Sequence, residues 1–211
     1  MADATVDARD VTRREFLYYI WKTSMALFTA QSIGATIWFL IPKFREGEFG
    51  GSFPLPLDRI PAINAEPQEF LDGRFWLVNL DSEQPNERMY PVEDEDQPIR
   101  GVAAIYKVCT HLGCIYAWNV ANQRFECPCH GSKYRLDGRR VESPAPRSLD
   151  RFQLSALDAG GAVLATAEAD EEGFFQPLTL PAETVQVIVN TGALAQGPSQ
   201  TLICDFRGDC P

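Results

Sequence analysis

Histidine is almost missing from this chain: its 211 residues contain two, His111 and His130. A further iron site that needs its own histidine ligands therefore has none left to draw on. The Cys-x-x-Cys-His pattern that attaches haem covalently occurs nowhere, which excludes a c-type haem. Basic residues are also in short supply. Nineteen Lys and Arg against 29 Asp and Glu leave a net charge of −10, which argues against nucleic acid as a partner and is compatible with a basic one. The acidic run 93–96 reads as an exposed loop.

What histidine there is sits in two short loops that also hold four of the six cysteines, CTHLGC (109–114) and CPCHGS (127–132). A Cys-x-His loop and a Cys-x-x-His loop each offer one thiolate and one imidazole. Together, Cys109, His111, Cys127 and His130 supply two sulfurs and two nitrogens. That set has two readings, tetrahedral zinc or a 2Fe-2S cluster in which two His replace two Cys on one iron. Cys114 and Cys129, one per loop, have no use in a closed four-ligand zinc site.

Over residues 103–152, these loops resemble the disulfide-containing Rieske iron-sulfur proteins of quinol-oxidising cytochrome bc and b6f complexes. The resemblance implies one 2Fe-2S cluster per chain. Cys109 and Cys127 would hold one iron and His111 and His130 the other, with a disulfide between Cys114 and Cys129. It also implies that the hydroxyls of Ser132 and Tyr134 donate to cluster sulfurs, which stabilises the electron-rich reduced form and points to a high-potential centre. Ser143-Pro144-Ala145-Pro146 resembles the family's proline loop, which covers the cluster from a third side, although the family usually opens it with Gly.

The second feature is N-terminal. Residues 23–42 run for 20 positions without a charge, about the length needed to cross ~30 Å of hydrocarbon as a helix, with aromatic residues at both ends. Ala26, Ala30 and Gly34 recur every four residues and make a smooth face that a neighbouring membrane helix can approach. Just before it, Thr12-Arg13-Arg14-Glu15-Phe16-Leu17 resembles a twin-arginine export signal, a route for proteins exported already folded around a cofactor. Arg9, Arg13, Arg14 and Lys22 precede the span, against only Lys43 and Arg45 soon after it. This orients the N-terminus to the cytoplasm. With no Ala-x-Ala cleavage site in place, the expectation is a retained single-pass anchor in the plasma membrane and a head on the periplasmic side. Disulfides persist in that compartment, and Cys204 with Cys210 are placed to form a second, small one.

The chain divides on this reading into an anchor with its signal (1–44), a Gly- and Pro-rich flexible hinge (45–56), a 2Fe-2S head (57–170) and a C-terminal extension of unassigned purpose (171–211). Strand signals at 75–80, 102–108, 124–126, 152–157 and 162–167 alternate with turns at Asp72-Gly73, Asp137-Gly138 and Gly160-Gly161. The expected fold class is all-β: an antiparallel Rieske-type head with an inserted cluster-binding subdomain, tethered by one transmembrane helix. The extension holds one further strand-like run, 185–189.

The mechanism implied by the resemblance makes His111 and His130 the catalytic pair. Each spends one ring nitrogen on iron and presents the other to quinol, so that a proton and an electron leave quinol together. The implied partners are a cytochrome b-type membrane subunit, quinol, and a c-type cytochrome or equivalent acceptor reached by movement of the head. A second reading is the small electron-transfer subunit of an arsenite-oxidase-like molybdoenzyme, and a third is a structural zinc ribbon.

Overall fold

The computed structural model describes residues 12–41, 51–92 and 97–204; the run 93–96, half of the expected hinge (45–50) and Cys210 lie outside them. The chain forms two compact units, residues 1–43 and 44–211.

The first unit holds one helix, α1 (Arg13–Leu40), 28 residues long. It starts at a capping box. The Thr12 hydroxyl accepts from the Glu15 main-chain N–H, and the Glu15 carboxylate accepts the Thr12 N–H at 3.0 Å. The residues that resemble an export signal therefore also start a helix. No residue of α1 is buried, and Trp38, Phe39 and Leu40 are among its exposed side chains. Among the described residues no helix is long and apolar enough to cross a membrane, so the transmembrane helix expected over 23–42 is not confirmed. Length is not the shortfall; Thr23, Ser24, Thr29, Gln31, Ser32 and Thr36 dilute the apolar face. Two of the hydroxyls are satisfied inside the helix, Thr29 donating to Met25 O and Thr36 to Ser32 O, each at 2.8 Å.

The second unit is all-β and antiparallel. Its larger sheet is built from β1 (Ser52–Pro56), β2 (Gln68–Phe70), β3 (Phe75–Asp81), β4 (Arg100–Tyr106), β9 (Arg151–Leu157), β10 (Val163–Thr166) and β11 (Gln186–Ala195). Their order is β1-β11-β9-β4-β3-β2, with β10 also pairing β9. Between β4 and β9 the chain leaves this sheet and forms a second one from β5 (Ala117–Asn119), β6 (Arg124–Glu126), β7 (Lys133–Tyr134) and β8 (Arg140–Glu142). This is the inserted subdomain expected from the sequence.

Strands β3 and β4 read as nearly unbroken apolar runs because both of their faces are covered. Successive side chains point to opposite faces, and the odd and even positions go to different cores. Trp76, Val78, Leu80, Ala103 and Ile105 join a core shared with the small sheet. Phe75, Leu77, Val102 and Ala104 join a core with Leu55, Phe152, Leu154, Val187 and Val189. Phe75, fully buried, packs against Phe53 of β1 at 5.7 Å, Phe70 of β2 at 4.8 Å and Phe152 of β9 at 6.4 Å. The two ends of the strand order thus meet over one ring, so the sheet curls around its core.

Two expected boundaries change. Ser52–Pro56, read as hinge, is the edge strand β1, registered from Ser52↔Asn190 to Pro56↔Gln186. Pro54 and Pro56 look like linker residues, but an edge strand tolerates their missing N–H groups. The run 185–189, read as part of a separate extension, lies in β11 between β1 and β9, so the head continues well past residue 170.

Candidate metal centre

Both Cys/His loops sit at one end of the subdomain. The first connects β4 to β5 and the second connects β6 to β7. They share one main-chain pattern. The N–H of Cys109 donates to Cys114 O at 2.8 Å and that of Gly113 to Cys109 O at 3.0 Å. In the second loop the N–H of Cys127 donates to Ser132 O at 2.9 Å and that of Gly131 to Cys127 O at 3.0 Å. Gly113 and Gly131 both have φ +80°, with open space where a Cβ would stand. Their requirement is the left-handed backbone, not room. Each loop thus wraps its thiol in a turn closed by glycine.

The candidate ligands fall into two pairs, Cys109 with Cys127 and His111 with His130. Cys109 and Cys127 are buried and are the free thiols among the described residues. His111 is half-buried and His130 exposed, and their rings stand perpendicular with centroids 4.7 Å apart. Cys114 and Cys129 form a disulfide between the loops, and Cys127 Sγ lies within 4.8 Å of both its sulfurs. Because those two sulfurs bond to each other, the close trio Cys114, Cys127 and Cys129 is a staple beside a thiol and not a ligand set.

Burial pushes the Cys127 thiol above its ordinary pKa, with the Cys109 thiol adding to the effect. The main-chain N–H groups of Cys129 and His130, directed at the sulfur, pull the other way. A buried thiol resists ionisation unless a cation lies against it. Two polar atoms also lack partners: His111 Nδ1 and Ser132 Oγ are buried without a hydrogen bond, and Ser132 is fully buried. Orphaned polar atoms in a native interior call for an unrepresented partner. Two buried thiols, two facing imidazoles and an unpaired buried imidazole nitrogen are the donor types that a 2Fe-2S group takes. The surplus cysteines, paired with each other, leave a zinc ribbon unexplained.

The remaining expected residue, Tyr134, is fully buried with its hydroxyl 3.1 Å from Cys109 Sγ. Burial, and next the Cys109 thiol, push its phenol well up, so it stays protonated. Beneath the loops, Phe125 packs on Tyr116 at 5.3 Å, Trp118 at 4.9 Å and Trp76 of β3 at 5.5 Å, tying the small sheet to the large one. Lys107, two residues before Cys109, is ion-paired with Glu69 and lies over the Trp76 ring at 4.9 Å.

Sequence reasoning missed several residues that hold the site. Thr110 Oγ1 donates to Arg147 O at 2.7 Å and lies 3.3 Å from the Tyr134 hydroxyl, so it joins the first loop to the proline loop. That loop opens on a cis Ser143–Pro144 bond, and Ala145 is buried in the core that holds both free thiols. The turn after Tyr134 is fixed by a buried pair. Arg135, fully buried, donates to Asp137 Oδ1 at 3.0 Å and Oδ2 at 2.8 Å, and to Tyr90 O at 2.7 Å. Although burial alone would raise it, Asp137 is held down to about 2 by the charge and hydrogen bonds of Arg135. Cys204 is buried and disulfide-bonded, while Cys210, its expected partner, lies outside the described residues.

Residues 83–153 match the family described as "Rieske [2Fe-2S] domain". The chain is 32% identical over 159 residues to the cytochrome b6-f complex iron-sulfur subunit 3 of Nostoc sp. strain PCC 7120, covering 72% of this chain and 84% of that one. It is 33% identical over 158 residues to the cytochrome b6-f complex iron-sulfur subunit of Nostoc punctiforme, covering 73% and 84%. Among solved structures, it is similar to the cyanobacterial plasma membrane Rieske protein of Synechocystis PCC 6803 at 28% identity over 47% of this chain and 84% of that chain, with a TM-score of 0.27.

Proposed function

Because the chain belongs to the Rieske iron-sulfur protein family, we propose that it is the 2Fe-2S subunit of a cytochrome bc- or b6f-type membrane complex. In that complex it takes an electron and a proton from quinol and passes the electron to a c-type cytochrome or equivalent carrier. The observation that carries this reading is the division of the donor set: two buried thiols, and two imidazoles facing each other nearer the surface, with His111 Nδ1 buried and unpaired.

On this reading Cys109 and Cys127 hold one iron and His111 and His130 the other. When bound, the cluster supplies a one-electron acceptor near the surface. His111 uses its buried Nδ1 for iron and keeps Nε2 for the substrate side. His130, exposed, keeps one nitrogen to accept a quinol proton. Tyr134 and Ser132 direct hydroxyls at sulfur, and the Cys114–Cys129 bond keeps both imidazoles at one rim. Leu112, 70% exposed, and Ile115, 53% exposed, give that rim an apolar border against which a membrane subunit can exclude water. The second quinol electron requires a haem-bearing cytochrome b-type partner. The relatives are named as cytochrome b6-f subunits, which favours this reading over the molybdoenzyme subunit.

Attachment to a membrane through α1 belongs to the same proposal, with the N-terminus cytoplasmic and the head periplasmic. Its 28 residues give about 42 Å of helix, and among the described residues its apolar side chains are exposed. From Gly51 on, the expected hinge belongs to the head, because the Thr191 hydroxyl donates to Gly51 O at 2.9 Å.

The test is low-temperature electron paramagnetic resonance of dithionite-reduced membranes that contain the chain, with and without a quinol-site inhibitor. A Rieske signal whose shape shifts with inhibitor is expected. An unshifted signal overturns the quinol role, and absence of the signal overturns the cluster.

A further inference from the structure

Residues 197–204 do not trail away from the head. They run back across the subdomain beside β8. The N–H of Ile203 donates to Arg140 O at 3.3 Å and that of Cys204 to Val141 O at 3.0 Å. Further up, Ser148 N–H donates to Pro198 O at 3.0 Å, Gly197 N–H to Asp150 Oδ1 at 2.8 Å, and Ser199 Oγ to Pro146 O at 3.1 Å. At Gly197 the approach is so close that a Cβ would collide with the main-chain oxygens of Ser148 and Leu149.

One side chain joins this segment to the proline loop. The Arg140 guanidinium donates through Nε to Gln200 O at 2.9 Å, with Nη2 also directed at that oxygen. Through Nη1 it donates to Ala145 O at 3.1 Å and Pro146 O at 2.7 Å. Three carbonyl groups from two separate segments thus share one rigid fork, a role a lysine ammonium on its flexible stem cannot reproduce. From there the contacts lead inward. Arg147, next after Pro146, accepts from Thr110 Oγ1 at 2.7 Å; Thr110 lies 3.3 Å from the Tyr134 hydroxyl, and Tyr134 lies 3.1 Å from Cys109 Sγ.

We infer that residues 197–204 are a strap that holds the proline loop against the metal centre, with Arg140 as the positioning residue that sets the Tyr134 hydroxyl on Cys109 sulfur. The inference rests on the proposed function in one respect, that Cys109 is a cluster ligand. Arg140 touches neither ligand nor substrate. It acts by fixing the 145–147 carbonyls, which fix Thr110, which limits where the phenol can point. Loosening the fork lets the phenol drift from sulfur and weakens the reduced form.

The experiment is a redox titration of the full-length chain in membranes, followed by paramagnetic resonance, for the wild type, Arg140→Ala, Arg140→Lys and Gly197→Ala, and for Arg140→Ala combined with Tyr134→Phe. The expected Arg140→Ala protein keeps wild-type iron content, and its reduction equilibrium moves about threefold toward the oxidised form, roughly 30 mV on the one-electron scale of ~59 mV per tenfold. Arg140→Lys gives a smaller shift in the same direction, and Gly197→Ala, which lifts the strap without touching Arg140, shifts that way too. Combined with Tyr134→Phe, Arg140→Ala adds nothing. An unmoved potential in Arg140→Ala and Gly197→Ala, or an undiminished further shift in the Tyr134→Phe background, overturns the inference. If Arg140→Ala loses iron, Gly197→Ala decides alone. A wild type without the Rieske signal overturns the proposed function instead.

Discussion

Replacing Tyr134 by Phe deletes one hydroxyl and leaves the ring that packs on Tyr116 at 5.9 Å. The deleted group lies 3.1 Å from Cys109 Sγ in a fully buried position where no water replaces it. A hydrogen bond to a neutral acceptor contributes about 0.5–1.5 kcal/mol and one to a charged acceptor about 1.5–3 kcal/mol. Adding one electron to the centre moves the sulfur partway along that scale, so the bond favours the reduced form by about 1 kcal/mol. At ~59 mV and ~1.4 kcal/mol per tenfold for one electron, the potential of Tyr134→Phe falls by roughly 40 mV. Because burial holds the phenol well above its ordinary pKa, the proton is present in both redox states and the drop is the same from about pH 6 to about pH 9. Quinol oxidation slows accordingly. The assay is a potentiometric titration read by paramagnetic resonance, with iron content as control. A full complement of cluster at an unchanged potential would refute the assignment of the Tyr134 hydroxyl as a sulfur donor.

Cys109→Ser and His130→Ala each remove one proposed iron ligand, and both proteins should lack the 2Fe-2S signal and its iron; an intact signal in either variant rejects the ligand set. Cys114→Ala with Cys129→Ala opens a 15-residue loop and should cost the head about 3 kcal/mol on the chain-entropy estimate, seen as earlier cluster loss on heating. Equal stability would make the bond dispensable. For the buried pair the sign is set by Asp137, whose folded value of about 2 lies below its ordinary 3.8. Its contribution is complete above about pH 4 and is lost as pH falls through about 2. Asp137→Ala, which takes the carboxylate away from buried Arg135, should destabilise the head by about 3–5 kcal/mol in denaturant titration and flatten this acid limb. A limb of unchanged steepness would show that another carboxylate sets it.

The candidate site could be proposed from sequence because ligand chemistry tolerates few residue types at few spacings: two loops of six letters pointed to Cys109, His111, Cys127 and His130 before any strand was placed. Strands β3, β4, β9 and β10 were legible as apolar runs between turns. The two- and three-residue strands β5, β7 and β8 carry too little pattern to show a period. Edge strand β1 was hidden by its prolines and by a partner, β11, lying about 140 residues away, as the Gly51–Thr191 contact measures. Of the run 135–140, only Asp137-Gly138 was legible, as a turn. Nothing in RLDGRR announces that Arg135 and Asp137 are sealed in or that Arg140 bridges two loops. The capping box at Thr12 and Glu15 was in plain view but was read only as part of an export motif.

Strands β3 and β4 act as a party wall between two rooms. Side chains on one face, Trp76, Val78 and Ala103 among them, furnish the room with both thiols, while Phe75, Leu77 and Ala104 on the other face furnish the second. Neighbouring substitutions along a single strand should therefore sort into two phenotypes: those that disturb redox behaviour, and those that lower stability and leave the spectrum alone.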